Sequence, residues 1–170
     1  RLIVNYEIIG RSDAQILEQF ASDPSKLSVE EMLYGANRLV KDDATRQKWN
    51  ETIAKQYPSD YRALNNLAQQ AISKGDVNAA ESYLKQAAQV SKNASEVNTN
   101  LALMSLKSGD VAKAETYLAK GSGSNTFKEA MGNLNIAKGN YTQAASDLAG
   151  VNTNSAALAQ ILAKDYTSAK

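Results

Sequence analysis

Asn66-Leu67-Ala68, Gly75-Asp76-Val77, Ala80-Glu81 and Tyr83-Leu84 recur 34 residues later as Asn100-Leu101-Ala102, Gly109-Asp110-Val111, Ala114-Glu115 and Tyr117-Leu118. A fixed period of this length marks a helical repeat array. In such an array each unit is a helix pair that cannot bury its apolar face alone, so units stack. The period predicts an all-α fold and points to binding rather than chemistry.

Within the first unit, Asp60 begins helix A, whose stripe is Leu64, Leu67, Ala68 and Ala71. Gly75 follows, where a glycine takes the left-handed turn that ends a helix. Helix B carries Val77, Ala80, Leu84 and Ala87. A third unit is shorter: Gly139-Asn140-Tyr141 matches Gly109-Asp110-Val111 at a spacing of 30, with Met131-Gly132, Ala144 and Leu148 in step. The deletion falls in the linker Gly121-Ser122-Gly123-Ser124. A fourth unit starts near Ser155, and Ile161 to Ala169 parallels Leu134 to Ala144 with two residues fewer. That match predicts a turn around Lys164-Asp165 and the start of another helix B. Ala68, Ala80, Ala102 and Ala114 sit where paired helices approach most closely, and Gly132 allows a closer approach still.

Upstream, Ser12 or Asp13 caps a short helix to about Ala21, with Ile16, Leu17 and Phe20 on one face. Asp23-Pro24-Ser25 breaks it. Ser28 and Glu31 form a capping box. Val29, Met32, Leu33, Ala36, Leu39 and Val40 make the next buried stripe, continued after Asp42-Asp43 by Trp49, Ile53 and Tyr57. This reads as a divergent helix pair. Residues 2–9, Leu-Ile-Val-Asn-Tyr-Glu-Ile-Ile, read either as a strand whose partner lies upstream or as an extended lead-in. The expected organisation is 1–12 as the tail of an upstream β-containing domain or linker, 13–58 as divergent helices, and 59–170 as repeats with the last one truncated. The chain begins at Arg1 and stops in mid-pattern, which reads as a piece of a longer protein.

The pattern resembles the tetratricopeptide repeat. That family shows a Leu-small pair in helix A, a Gly at the turn, then Ala, an aromatic or Leu, and Ala in helix B. Here these are Leu67-Ala68, Gly75, Ala80, Leu84 and Ala87, then Leu101-Ala102, Gly109, Ala114 and Leu118, then Met131-Gly132, Gly139, Ala144 and Leu148. The family's early aromatics are replaced by Leu64, Asn98 and Lys128. The resemblance implies a right-handed α–α superhelix of about four helix pairs, with helix A lining a concave face. Asp23 to Tyr34 and Tyr57 to Arg62 also look like the repeat region of Bacteroidetes cell-envelope proteins, some of which carry a domain like that of outer membrane protein A. A periplasmic or outer-membrane-associated location through a parent protein follows as an expectation, beside a cytoplasmic one.

Bulk composition narrows the chemistry. The 170 residues hold 19 Lys plus Arg against 18 Asp plus Glu, and no Cys or His. Nucleic-acid binding asks for a basic excess or a clustered basic face, and neither is visible. Without Cys or His there are no disulfides, thiolate nucleophiles or His bases, and hardly any zinc ligand sets. No run of about 18 apolar residues encodes a membrane span. Gly121-Ser122-Gly123 lacks the lysine of a phosphate loop. Glu30-Glu31 and Asp42-Asp43 stand at helix starts, where carboxylates cap. No enzyme activity, cofactor or metal is expected.

What remains is the concave face. Arg62, Asn65, Asn66, Gln69, Asn100 and Leu103 are the expected partner-binding residues, with Ser73, Glu96, Thr99 and Lys107 beside them. Asn and Gln amides offer donors and acceptors to an extended peptide, and Arg62 can grip a carboxylate bidentately. The expected partner is a protein or peptide, against the alternative of a structural spacer. Lys85 and Lys113 are expected on a plain convex back, and Arg62→Ala with Asn100→Ala to weaken binding without shifting the melt.

Overall fold

The computed structural model describes residues 10–168, with side chains as far as Lys164. The strand expected at 2–9 lies outside the described residues. Among the described residues every regular element is helical. The chain divides into two compact units, Arg1–Ala63 and Leu64–Lys170.

In the first unit, α1 spans Asp13–Ser22. Ser12 caps it: the Ser12 hydroxyl accepts from the Gln15 N–H, and the Ser12 N–H donates to the Gln15 side chain at 2.8 Å. A 3-10 turn, Pro24–Lys26, follows. The α2 helix spans Val29–Tyr34 with the expected Ser28–Glu31 capping box. It runs on into a π-helical turn, Gly35–Leu39, closed by the Val40 N–H on the Gly35 carbonyl at 3.0 Å. The α3 helix, Asp43–Gln56, is capped by Asp42, which accepts from the Thr45 N–H at 2.8 Å. Ile16, Leu27, Met32, Leu33, Ala36, Val40, Trp49, Ile53 and Ala63 form the core.

The π turn has no sequence signature, but its packing logic is clear. Gly35 is buried with its Cα against the Trp49 ring, so that a Cβ there would lie inside the ring's van der Waals envelope. A π turn disturbs the ordinary carbonyl ladder. Arg46 answers two of the carbonyls, donating to Ala36 at 3.2 Å and to Val40 at 3.0 Å. Phe20 stacks on Trp49 with ring centroids 3.7 Å apart. Leu17, on the apolar face with Ile16 and Phe20, is 42% exposed.

The second unit is all-α, a stack of helices as the repeats predict. Its helices are α4 (Tyr61–Lys74, the first residues of which group with the first unit), α5 (Val77–Val90), α6 (Ser95–Lys107), α7 (Val111–Leu118), α8 (Asn125–Ala137), α9 (Tyr141–Asp147) and α10 (Asn154–Ser168). The α6 helix packs on α7 and on α8, and α8 packs on α9 and on α10, so helix A follows helix A along the stack. Leu67, Ala68, Ala80, Leu84, Ala87, Ala102, Ala114, Leu118, Ala144 and Leu148 are buried in their expected places.

The Gly-Asp pair at each turn explains the period. Gly75 and Gly109 adopt φ of 76° and 80°, which costs a glycine nothing. The next residue then serves both helices. The Asp76 N–H donates back to the Ala71 carbonyl at 2.9 Å, and its carboxylate accepts from the Ala79 N–H at 3.0 Å. Asp110 repeats this with Ser105 and Lys113.

Two expectations are corrected. Val77 is 42% exposed rather than core. The turn at Lys164-Asp165 does not form: α10 is continuous through Ser168. The segment lacks a glycine at the position of Gly139, so nothing there favours the left-handed residue that ends the other helices A.

The first unit should be the acid-labile one. Arg62 holds the Asp60 and Glu30 carboxyls below their ordinary range. The Ser28 N–H and then Arg11 do so for Glu31, the Thr45 N–H for Asp42, and the Ser25 hydroxyl for Asp23. In the second unit a lowered carboxyl is found at Glu81, beside Lys85. A depressed folded-state pKa gives stability that is complete above the unfolded value and lost as pH falls through the folded one. With ordinary values of 3.8 for Asp and 4.5 for Glu, the loss should begin below about pH 4.5. Trp49, the chain's one tryptophan, should report an acid transition at higher pH than amide exchange near Leu84. Coincident transitions would contradict this.

Candidate partner-binding site

The residues expected to meet a partner divide into three groups. Arg62 is committed within the first unit. Its guanidinium donates to Asp60 at 2.6 Å and to Glu30 at 2.7 and 3.1 Å. Asp60 first and Glu30 second push the Arg62 pKa further up. Both faces of the fork already hold carboxylates, so the bidentate grip is made within the chain.

Asn65 and Asn100 are buried, at 6% and 3% exposure. The Asn100 Nδ2 donates to the Asn65 Oδ1 at 2.8 Å. The pair ties α4 to α6 and offers little surface to a ligand. Thr99, at 2% exposure, is equally enclosed. The reason lies in the stacking. A helix A is covered on one side by its own helix B and on another by the next helix A, so a single apolar stripe understates its buried arc.

Gln69, Ser73, Glu96 and Lys107 are exposed, and Asn66 and Leu103 half-buried. Residues 66, 69 and 73 share one face of α4, and 96, 103 and 107 one face of α6, by helical spacing. These are the expected positions that keep surface.

The buried amide pair has a stability consequence that departs from the sequence expectation. Asn100→Ala should strip the Asn65 oxygen of its donor and cost about 1–3 kcal/mol. A denaturant midpoint equal to that of the parent would contradict the bond.

Two apolar hollows went unread in the sequence. In the second unit, a cleft of about 250 Å³ is lined by Val77, Met104 and Tyr117, with Glu81, Lys85 and Lys113 at its edge. Lys85 bonds Glu81 at 2.8 Å. The two lysines thus border a cleft and are poor controls for a featureless back. In the first unit, a groove of about 570 Å³ lies over Phe20, Leu39 and Trp49. Its sequence signal is Leu17 beside Phe20 on one face of α1.

Among the described residues no group of three His, Cys, Asp or Glu could hold a metal ion. No described helix is long and apolar enough to cross a membrane.

No curated protein matches the chain. Among solved structures, the chain is similar to PilW, described as a widely conserved type IV pilus biogenesis factor. The identity is 15%, the match covers 85% of this chain and 87% of that one, and the TM-score is 0.47. Residues 71–134, from the end of α4 into α8, match the family model described as tetratricopeptide repeat.

Proposed function

We propose that the chain is a non-catalytic scaffold that takes a peptide or protein partner on the helix-A faces of its repeats, as part of a larger bacterial envelope protein. The observation that carries this reading is the exposed polar row of α4 and α6, Gln69, Ser73, Glu96 and Lys107, beside half-buried Asn66 and Leu103. It lies within or next to the segment that matches the tetratricopeptide repeat. Proteins of that repeat family generally act as scaffolds without catalysis. In this reading Asn65 and Asn100 fix the spacing of α4 and α6, and Gln69 and Leu103 touch the partner. Arg62 orders the helix start through Asp60 and Glu30. The envelope setting rests on the likeness of Asp23–Tyr34 and Tyr57–Arg62 to Bacteroidetes envelope repeats.

A photo-crosslinker at Gln69 or Lys107 of the full-length parent should capture a partner that one at exposed Gln89 does not. With that partner in hand, Gln69→Ala with Leu103→Ala should weaken binding about tenfold, about 1.4 kcal/mol. Gln89→Ala should leave the affinity unchanged. Equal labelling from all three positions, or an affinity indifferent to Gln69 and Leu103, would favour the spacer.

A further inference from the structure

We infer that the first unit carries a second docking site, a groove between α1 and α3 that seats a short amphipathic helix with acidic flanks. This goes beyond the helix-A surface of the repeats and does not depend on it. The argument begins with spacing. One wall is Leu17, Phe20, Ala21 and Pro24; the other is Thr45, Lys48, Trp49 and Thr52. Leu17, Phe20 and Ala21 share one face of α1, with Pro24 of the 3-10 turn beyond its end, and the second set runs i, i+3, i+4, i+7 along one face of α3. Two such stripes facing a common hollow form the bed into which a third helix packs by ridges and grooves. The α3 wall is about 10 Å long at 1.5 Å per residue, so the occupant is a helix of two to three turns.

The floor is apolar and firm. Phe20 and Trp49 stack at 3.7 Å, and Trp49 is 3% exposed, so the ring pair is fixed before anything binds. Leu17 stands at the rim 42% exposed, more open than a core leucine. The volume of about 570 Å³ is ample for several side chains of a binding helix. Helix-in-groove recognition uses such apolar anchors at helical spacing.

Charge selects the flank. Lys41, Asp42 and Lys48 line the groove, and neither lysine has a carboxylate partner among the described residues. Asp42 accepts from the Thr45 N–H at 2.8 Å and keeps its charge, whereas Asp43 pairs with Arg46 at 2.6 Å. Glu18 on α1 lines a different hollow, beside Arg11. The lining therefore carries one net positive charge, two lysines against one aspartate, which favours an acidic helix and disfavours a basic one.

Two fluorescein-labelled model peptides test this against the whole chain. Both carry leucines at i, i+3, i+4 and i+7; one has glutamate flanks and the other lysine flanks. Fluorescence anisotropy should show the acidic peptide binding at least about tenfold tighter than the basic one. Leu17→Glu, a change at an exposed site, should abolish binding, and Thr52→Glu should do the same from the other wall if Leu17→Glu disturbs the fold. Lys41→Glu with Lys48→Glu should invert the preference. Gln69→Ala with Leu103→Ala should leave binding unchanged, which separates this site from the helix-A surface. The proposal is overturned if neither peptide binds, if both bind alike, or if both wall variants bind as the parent does. It is equally overturned if anionic phospholipid vesicles, and not the acidic peptide, occupy the groove.

Discussion

Trp49→Ala should destabilise the first unit by about 3–5 kcal/mol, the range for deleting a buried large aromatic. Trp49 is the largest side chain of that core, stacked on Phe20 and pressed on Gly35. Removing it leaves a cavity that Gly35, with no side chain, cannot fill. Amide exchange at Ile53 should accelerate to match, since the variant has no tryptophan to read. The pairing with Gly35 gives the prediction a second edge. Gly35→Ala in the parent forces a methyl into the indole and should itself be costly. In the Trp49→Ala background the same methyl enters empty space and should cost little. This non-additivity is what a double-mutant cycle detects between groups in contact. Independent, additive costs would mean that the glycine is there for another reason.

That contact also shows where the sequence stops being legible. The apolar stripes of α2 and α3 were readable, because burial on one side of a helix imposes its period on residue type. The π turn was not. It depends on which ring meets which backbone, a choice that Gly35 and Trp49 make together across 14 residues. Nothing in Gly35-Ala36-Asn37 distinguishes a π turn from a plain helix end. The repeats were easier, because the same solution is written more than once. Gly75-Asp76 and Gly109-Asp110 each end one helix and cap the next, so their chemistry is local and visible. The failure at Lys164-Asp165 follows from the same rule: without the glycine, the likeness in flanking residues did not make a turn.

The candidate site was less legible than the fold. Asn65 and Asn100 are polar residues on a helix, and polarity alone says surface. Their burial is set by the next helix A of the stack, whose rotation a period of 34 residues does not fix. Hydrogen bonding to each other makes that burial tolerable. Arg62 misled for a related reason: its partner Glu30 is 32 residues away. The lysines around the first-unit groove carried no signal, since an isolated lysine on a helix reads as solvated. What sequence conveyed about the site was the identity of the elements that bear it; which side chains stay open was decided by packing.

Leu148→Ala should cost the repeats about 2–5 kcal/mol, as for other buried leucines. Leu148 is 2% exposed and follows α9, in a cluster with Ala144, Ala156 and Ala159. Its isobutyl group lies over Gly132 of α8. A Cβ built on Gly132 would come within 2.6 and 2.7 Å of the two Leu148 methyls. In the two preceding units the equivalent small residue is Ala68 or Ala102, so the third has given up one methyl to bring the helices together. Two effects then oppose each other in Gly132→Ala. The alanine gains about 1 kcal/mol of helix propensity, and in the parent it loses about 1–3 kcal/mol by overpacking. With Leu148 in place, the clash should win and the midpoint of urea unfolding should fall. With Leu148→Ala the clash is gone, and the same substitution should raise the midpoint. A change of sign between backgrounds is a sharper outcome than a change of size, because propensity alone would stabilise both. If Gly132→Ala stabilises the parent, Leu148 yields freely and the close approach of α8 and α9 is not what the glycine is for.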